Sequence, residues 1–416
     1  MPQNDRIDRS RRTILARLGL AATAVYVAPV LSSLSSARAS GSFSGSRPRA
    51  RPEIVVSAPR AADIDRIASH GYTLIARDRL ALVNAELGRF RLPAGVTVVR
   101  ARAQIRRLVP AAVFDLNHIY RPGELACGDN SCAAFEMIGW TMAAHACPAG
   151  TVIGMVDTGV NKAHPALAGV NIEAFPVLAK GRRPASTAHG TAIAVLLAGR
   201  RDSVTPGLLD GVRVAAAEAF HRDMRGQDAA DSFDVIRAID ALTRRGVRVI
   251  NLSFTGPANE VLERVVEAAR DRDIVLVAAA GNAGPRAAPL YPAAYASVVA
   301  VTAVDREQRV YRQANAGKHL DFAAPGVRLW TASATEDAGR FRSGTSYAAP
   351  FVSAAFAVAR SRHPQKPIGE LIEDLAARAV DLGPPGRDAT FGWGLVQSAG
   401  DCVEQGAGVI PRTRSG

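Results

Sequence analysis

The chain has 416 residues, with 51 Lys and Arg against 38 Asp and Glu, for a formal net charge of +13 at pH 7. Hydrophobic residues make up 48% and charged residues 21%, enough for a large core, which excludes wholesale disorder. The length suggests two or three units, and an aromatic content of 6% offers no obvious stacking platform for single strands.

The charge is unevenly placed. Residues 1–39 carry +4 and residues 40–126 carry +7, leaving +2 for residues 127–416. Two-thirds of the chain is therefore near neutral, and no nucleic-acid partner is expected for it.

Residues 1–39 read as a signal peptide. Arg11-Arg12 follows Ser10, Ile14-Leu15 comes next, and an apolar stretch from Leu18 to Leu34 leads to the small-x-small site Ala37-Arg38-Ala39. This order resembles a twin-arginine signal, which implies an exported chain, periplasmic or extracellular. An ordinary secretory signal or an uncleaved anchor is the alternative. Cys127, Cys132, Cys147 and Cys402 all follow this segment. An even count in an exported chain suggests disulfides, with three possible pairings. The pairs Cys127–Cys132 and Cys147–Cys402 are favoured, and the spacing argues against zinc.

Residues 40–52 have the composition of a linker. A small α+β unit is expected over 53–121. Its strands are EIVVS (53–57), YTLIA (72–76) and ELGRFRL (86–92), its helices run from Asp63 to Ser69 and Thr97 to Leu108, and 112–120 closes it. Length and order suit a ferredoxin-like split βαβ module. From about residue 135 the pattern becomes strand, helix, strand, helix. TVIGMV (151–156), VRVI (247–250) and IVLVAAA (274–280) are apolar without alternation, as in parallel strands buried on both faces. Helices are expected over 191–199, 230–245 and 258–270. The fold class is α/β, a doubly wound, mostly parallel sheet with helices on both faces.

Each apolar strand ends in a polar residue: Asp157, Asn251, and Asn282 after Gly281. Ligands of open α/β sheets sit at these carboxyl ends. His189 opens an apolar helix, and Ser346 follows Gly344-Thr345 at the start of another. A glycine there permits a tight turn, and the helix start favours negative charge.

DTGVNKAHP (157–165), HGTA (189–192), AAAGNAG (278–284) and SGTSYAAPFV (343–352) resemble the signatures of the subtilisin-like serine peptidases, as does FGWGLV (391–396). The chain order Asp, His, Ser is also that family's. The resemblance implies a serine endopeptidase acting through an acyl-enzyme on protein or peptide substrates. Ser346 would be the nucleophile, His189 its base and Asp157 the group orienting the imidazole. The Asn282 amide and the Ser346 N–H would form the oxyanion hole. A neutral His189 base implies activity falling on the acid side with an apparent pKa near ~6.5–7. INLSFTGP (250–257) resembles the segment that pairs with extended substrate, so Ser253, Phe254, Thr255 and Gly256, with Gly281, would bind substrate. Thr255, where the family commonly has glycine, would narrow the primary pocket. Residues 222–233 would form the opposite rim, with Asp228 and Asp231 facing either basic substrate residues or solvent.

The family often has HPDL where this chain has His164-Pro165-Ala166-Leu167, and Arg200-Arg201-Asp202 replaces its calcium loop. No strong calcium site, other metal or cofactor is expected. The family's layout also implies a role for the small module: a prodomain that assists folding and then occupies the cleft. The expected organisation is signal 1–39, linker 40–52, prodomain 53–121, processing segment 122–134, peptidase domain 135–402 and tail 403–416. The stretch from Asn117 to Ala126 would enter the site, with Tyr120–Arg121 a candidate bond for self-cleavage. The enzyme would be a monomer whose partners are its substrates and its own prodomain. Two other readings compete with this one: a blocked, inactive peptidase fold that binds, and an Arg-rich envelope- or nucleic-acid-binding module at 40–126.

Overall fold

The computed structural model describes residues 52–122, 125–126, 133–140, 151–334 and 339–400. The suspected signal, all four cysteines and the tail lie outside them. Among the described residues no helix is long and apolar enough to cross a membrane.

Apolar runs build a seven-stranded, wholly parallel sheet. Its order is Leu320–Pro325, Val299–Val304, Val275–Ala279, Val249–Leu252, Val152–Asp157, Arg213–Glu218 and Ile172–Pro176. The chain starts in Val152–Asp157, crosses to the edge strand Ile172–Pro176, steps back in to Arg213–Glu218, and then builds the other side in order from Val249–Leu252 out to Leu320–Pro325. The switch point therefore lies between the ends of Val152–Asp157 and Val249–Leu252, where such folds open a crevice.

Period-two alternation divides the side chains between two cores. On one face Ile153, Met155, Val275, Val277 and Val301 meet the helices Ala188–Ala198 and Thr345–Arg362. Both helices are apolar nearly all round, and Thr345 through Arg360 are all buried. On the other face Val156, Ile250, Leu252 and Leu276 meet the helices Ser232–Thr243 and Glu260–Asp271, which are amphipathic. Their other sides receive the small module: Val55, Leu80, Leu82 and Leu87 belong to the same apolar cluster.

That module is a four-stranded antiparallel sheet with the order Thr73–Leu80, Ala85–Arg91, Glu53–Ala58, Val113–Leu116. Two helices, Ala61–Ser69 and Val98–Leu108, cover its other face around Ile54, Phe90, Ile105 and Phe114. The order is that of the split βαβ layout. The module also supplies acceptors to the starts of the two amphipathic helices. Asp115 accepts from the Glu260 N–H at 3.2 Å, and Asn117 Oδ1 accepts from the Phe233 N–H at 3.1 Å. Each satisfies an N–H that its helix cannot, an effect typically worth about 1 kcal/mol.

The expected closing strand over 112–120 is two strands. Val113–Leu116 stays in the module, and the chain then leaves it at Asn117-His118. Ile119–Pro122 joins a different antiparallel sheet, between Asp228–Asp231 and Phe254–Thr255.

Candidate active site

Asp157 is the last residue of its strand, and its carboxylate accepts at Oδ1 from the Thr158 N–H at 2.7 Å. His189 lies in the first turn of Ala188–Ala198, and its Nδ1 is 2.7 Å from the same Oδ1. Both side chains are about 98–99% buried. With Nδ1 turned to a carboxylate, the tautomer bearing the Nδ1 proton is favoured, which makes Nε2 the proton acceptor. The helix can approach so closely because of Gly190. A Cβ there would lie 2.4 Å from the Thr158 carbonyl oxygen, and the Gly190 N–H donates to Thr158 Oγ1 at 2.8 Å.

Ser346 is the second residue of Thr345–Arg362. Gly344 before it has φ +151°, which side chains rarely tolerate, and this turns the Ser343 strand directly into the helix. The His189 and Tyr347 rings lie 5.5 Å apart, so the two helix starts converge. Pro350 is four residues beyond Ser346 and has no N–H to give its carbonyl. That carbonyl accepts instead from Ser253 Oγ at 2.7 Å, and Ser253 Oγ accepts from Asn251 Nδ2 at 2.8 Å. Asn251 Oδ1 in turn accepts from Ser353 Oγ at 3.0 Å.

Asn282 is oriented by Thr345. Its Oδ1 accepts from the Thr345 N–H at 3.0 Å and from Thr345 Oγ1 at 3.2 Å. Thr345 Oγ1 also accepts from the Gly281 N–H at 3.0 Å. These contacts fix which end of the amide is oxygen and leave Nδ2 as its donor. The first N–H groups of the Ser346 helix point the same dipole end at the site.

The structure therefore brings Asp157 and His189 into contact and sets Ser346 and Asn282 on either side of Thr345. The expected substrate-binding residues divide. Phe254 and Thr255 pair through the backbone with Pro122 and Arg121. The Phe254 ring is buried edge-on to Phe220, 5.6 Å between centroids, so it belongs to the core. Gly256 exchanges both backbone hydrogen bonds with Tyr291, at 2.7 and 2.9 Å. Gly281 is held between Thr345 and Asn315. Asn251, the third strand-end polar group, faces inward as a brace.

Asp231 proves to be neither a substrate-facing nor a solvated carboxylate. It is fully buried, caps its helix through the Asp234 N–H at 3.1 Å, and pairs with Arg182 and with Arg89 of the module, the latter at 3.3 Å. Its neighbours are strongly perturbed. Burial, aided by the Asp231 charge, pushes the Asp234 carboxyl up to about 7. Burial and Arg182 push His221 down to about 4. Asp228 is half-buried, paired with Arg222 at 3.2 Å.

Residues 149–394 match the model of the subtilase family. That is more than half of the chain, and the chain belongs to this family of serine peptidases. Minor extracellular protease Epr of Bacillus subtilis (strain 168) is 31% identical over 211 residues, 50% of this chain and 32% of that protein. Subtilisin DY of Bacillus licheniformis is 31% identical over 239 residues, 56% of this chain and 84% of that protein. The chain thus spans about a third of the first relative and most of the second. Fervidolysin from Fervidobacterium pennivorans, a keratinolytic enzyme related to subtilisin, superposes with TM-score 0.69 at 21% identity, covering 83% of this chain and 60% of that one. The epidermin leader peptide processing serine protease from Staphylococcus aureus gives 0.66 at 16%, covering 84% and 97%. At such identities these two likenesses show the fold alone.

Proposed function

We propose that this protein is an exported serine endopeptidase made as a self-inhibited precursor. The buried 2.7 Å contact between Asp157 and His189 Nδ1, beside the helix start that carries Ser346, is the observation that carries the reading. His189 Nε2 takes the Ser346 proton as the hydroxyl oxygen attacks a peptide carbonyl carbon. Asp157 stabilises the imidazolium and holds its orientation. The oxyanion is received by Asn282 Nδ2 and the Ser346 N–H. Collapse breaks the C–N bond, His189 protonates the leaving amine, and water then hydrolyses the acyl-enzyme.

Residues 53–121 act as the prodomain. Support comes from the shared apolar cluster, the two helix starts it serves and its last strand, which enters the sheet of Phe254–Thr255. Export rests on the sequence of residues 1–39, and it agrees with the word extracellular in one relative's name.

A fluorophosphonate probe tests the enzyme reading. The processed protein should be labelled, with the adduct mapped to the peptide containing Ser346. Absence of labelling after complete processing would leave the blocked, binding-only fold in its place.

The prodomain reading carries a pH dependence. Burial lowers the pKa of His118 below its ordinary 6.5, with Asp115 opposing. Its Nδ1 lies 3.5 Å from Asn259 Nδ2, across the junction between the module and the peptidase domain. A released module would protonate His118 at its ordinary pKa, whereas the docked module resists. Docking is therefore fully favoured above about pH 6.5 and weakens as pH falls through that value towards the lower docked pKa. Dissociation of the cut module, followed by the appearance of peptidase activity, should quicken over that window. His118→Asn should flatten this component; an unchanged pH profile in that variant would remove His118 from the account.

A further inference from the structure

A cavity of about 460 Å³ opens where the module meets the peptidase domain, and five cations line it. Arg77 and Arg89 come from paired strands of the module. Lys180 and Arg182 come from the loop after Ile172–Pro176, and Arg237 from the helix Ser232–Thr243. Gly181, at φ +85°, lets that loop turn so that the residues on both sides of it reach the cavity. Among the described residues that line the cavity there is no carboxylate. The acidic partners of the arginines stand behind them. Arg89 and Arg182 share the single, fully buried Asp231. Arg77 turns to Asp65 at 3.0 Å and Glu86 at 3.2 Å, and Arg237 to Asp78. Lys180 has no ion pair among the described residues. The cations thus converge on a space that holds no counter-charge, between the apolar walls of Ile75, Leu178 and Phe233, where charges are screened less than in water.

We propose that this cavity binds a small multivalent oxyanion of the phosphate type. The chemistry of the lining selects it. Guanidinium forks suit ligands that present several oxygens, and the Lys180 ammonium adds a point charge. The volume is that of a pocket for a small molecule rather than a chain. The site is shared: three of the cations belong to the peptidase domain and two to the module. It is complete only while the module is docked, so a bound oxyanion stabilises the docked state in proportion to its occupancy. Where the module acts as the prodomain, as in the reading above, the oxyanion delays its release. The ion pairs through Asp231 hold the two parts together without it, and the ligand offsets the repulsion that they leave between the cations facing the cavity.

Isothermal titration of the full Ser346→Ala chain with pyrophosphate is the test, against sodium chloride at the same ionic strength. One equivalent should bind. Lys180→Gln and Arg77→Gln should each weaken binding about tenfold, the weight of one charge-assisted contact. Lys318→Gln, outside the cavity, should leave it unchanged. Lys180 is exposed, so its variant should keep the fold, and an unchanged melting temperature without ligand checks this. Absence of saturable heat, or an affinity indifferent to both cavity substitutions, overturns the site. So does saturable binding of a long polyphosphate with pyrophosphate inert, the mark of an extended basic surface. In the wild-type protein, pyrophosphate at ten times its Kd should slow the appearance of peptidase activity about tenfold, because only docked chains hold it. Binding with no slowing keeps the site and removes the module's role as prodomain.

Discussion

Ser346→Ala is expected to leave the chain uncut at its N-terminal region and unreactive towards fluorophosphonate, with peptide hydrolysis lowered by a factor on the order of 10⁶, a figure carried over from subtilisin itself. The geometry says why the loss should be so complete. Asp157 and His189 are buried against each other, and the imidazole ring lies beside Tyr347 at the start of the Ser346 helix. Remove the hydroxyl and the pair has no nucleophile to deprotonate. The substitution itself should be mild. Ser346 is held through its backbone carbonyl by Ser253, and Ala keeps that bond and the helix. Stability should therefore change little while chemistry stops. His189→Ala should do nearly the same, and the double variant should be no worse than either alone, because the groups act as one unit. A purified Ser346→Ala chain that still shortened by itself would defeat the self-processing account. One that still hydrolysed peptide would defeat the nucleophile.

Much of this site could be read from the sequence because its residues sit at element ends. Asp157 and Asn282 each close an apolar run, and His189 and Ser346 each open an apolar helix. What the sequence did not reveal was the work of the residues between and behind them. Thr345 reads as a helix-start threonine, yet it turns the Asn282 amide. Asn251 looks like a third strand-end group, yet it faces inward to Ser253 and Ser353. Such roles depend on contacts spanning 63 to 102 residues, which no local pattern carries. The outer strands were missed for another reason. Arg213–Glu218 is RVAAAE, and alanine has weak preference for strands. Only its place between two paired neighbours makes it one. Asp231 was misjudged because its ion partner Arg89 lies 142 positions away in the module.

The buried charge cluster around Asp231 also changes how the net charge of +13 is understood. Among the described residues, some of the arginines before residue 122 are engaged in ion pairs rather than forming a diffuse basic surface. Arg89 is about 93% buried against Glu53 and Asp231, and Arg102 reaches Asp115 and Glu260. Part of the charge is thus spent on binding the module to the peptidase domain. Buried pairs of this kind are costly to break, because the partner is left charged without water.

Replacing the Asn282 amide should slow hydrolysis by roughly 10²–10³ in kcat with KM little changed, the cost found for such a donor in subtilisin. Two substitutions separate its parts. Asn282→Leu removes the donor and also strips the Thr345 N–H and hydroxyl of their acceptor, so some loss of stability will accompany the loss of rate. Asn282→Asp keeps an oxygen for both Thr345 donors and removes only the Nδ2 hydrogens. It also sets a negative charge where negative charge must develop in the transition state. The Asp variant should therefore melt close to wild type yet lose at least as much kcat as the Leu variant. If Asn282 were merely a brace for Thr345, the order would reverse: Asp would be active and Leu would not. Thr345→Val should then show a smaller kcat loss of about tenfold, since the amide stays but its orientation is no longer held. An Asn282→Asp enzyme with kcat near wild type would remove this side chain from the oxyanion site.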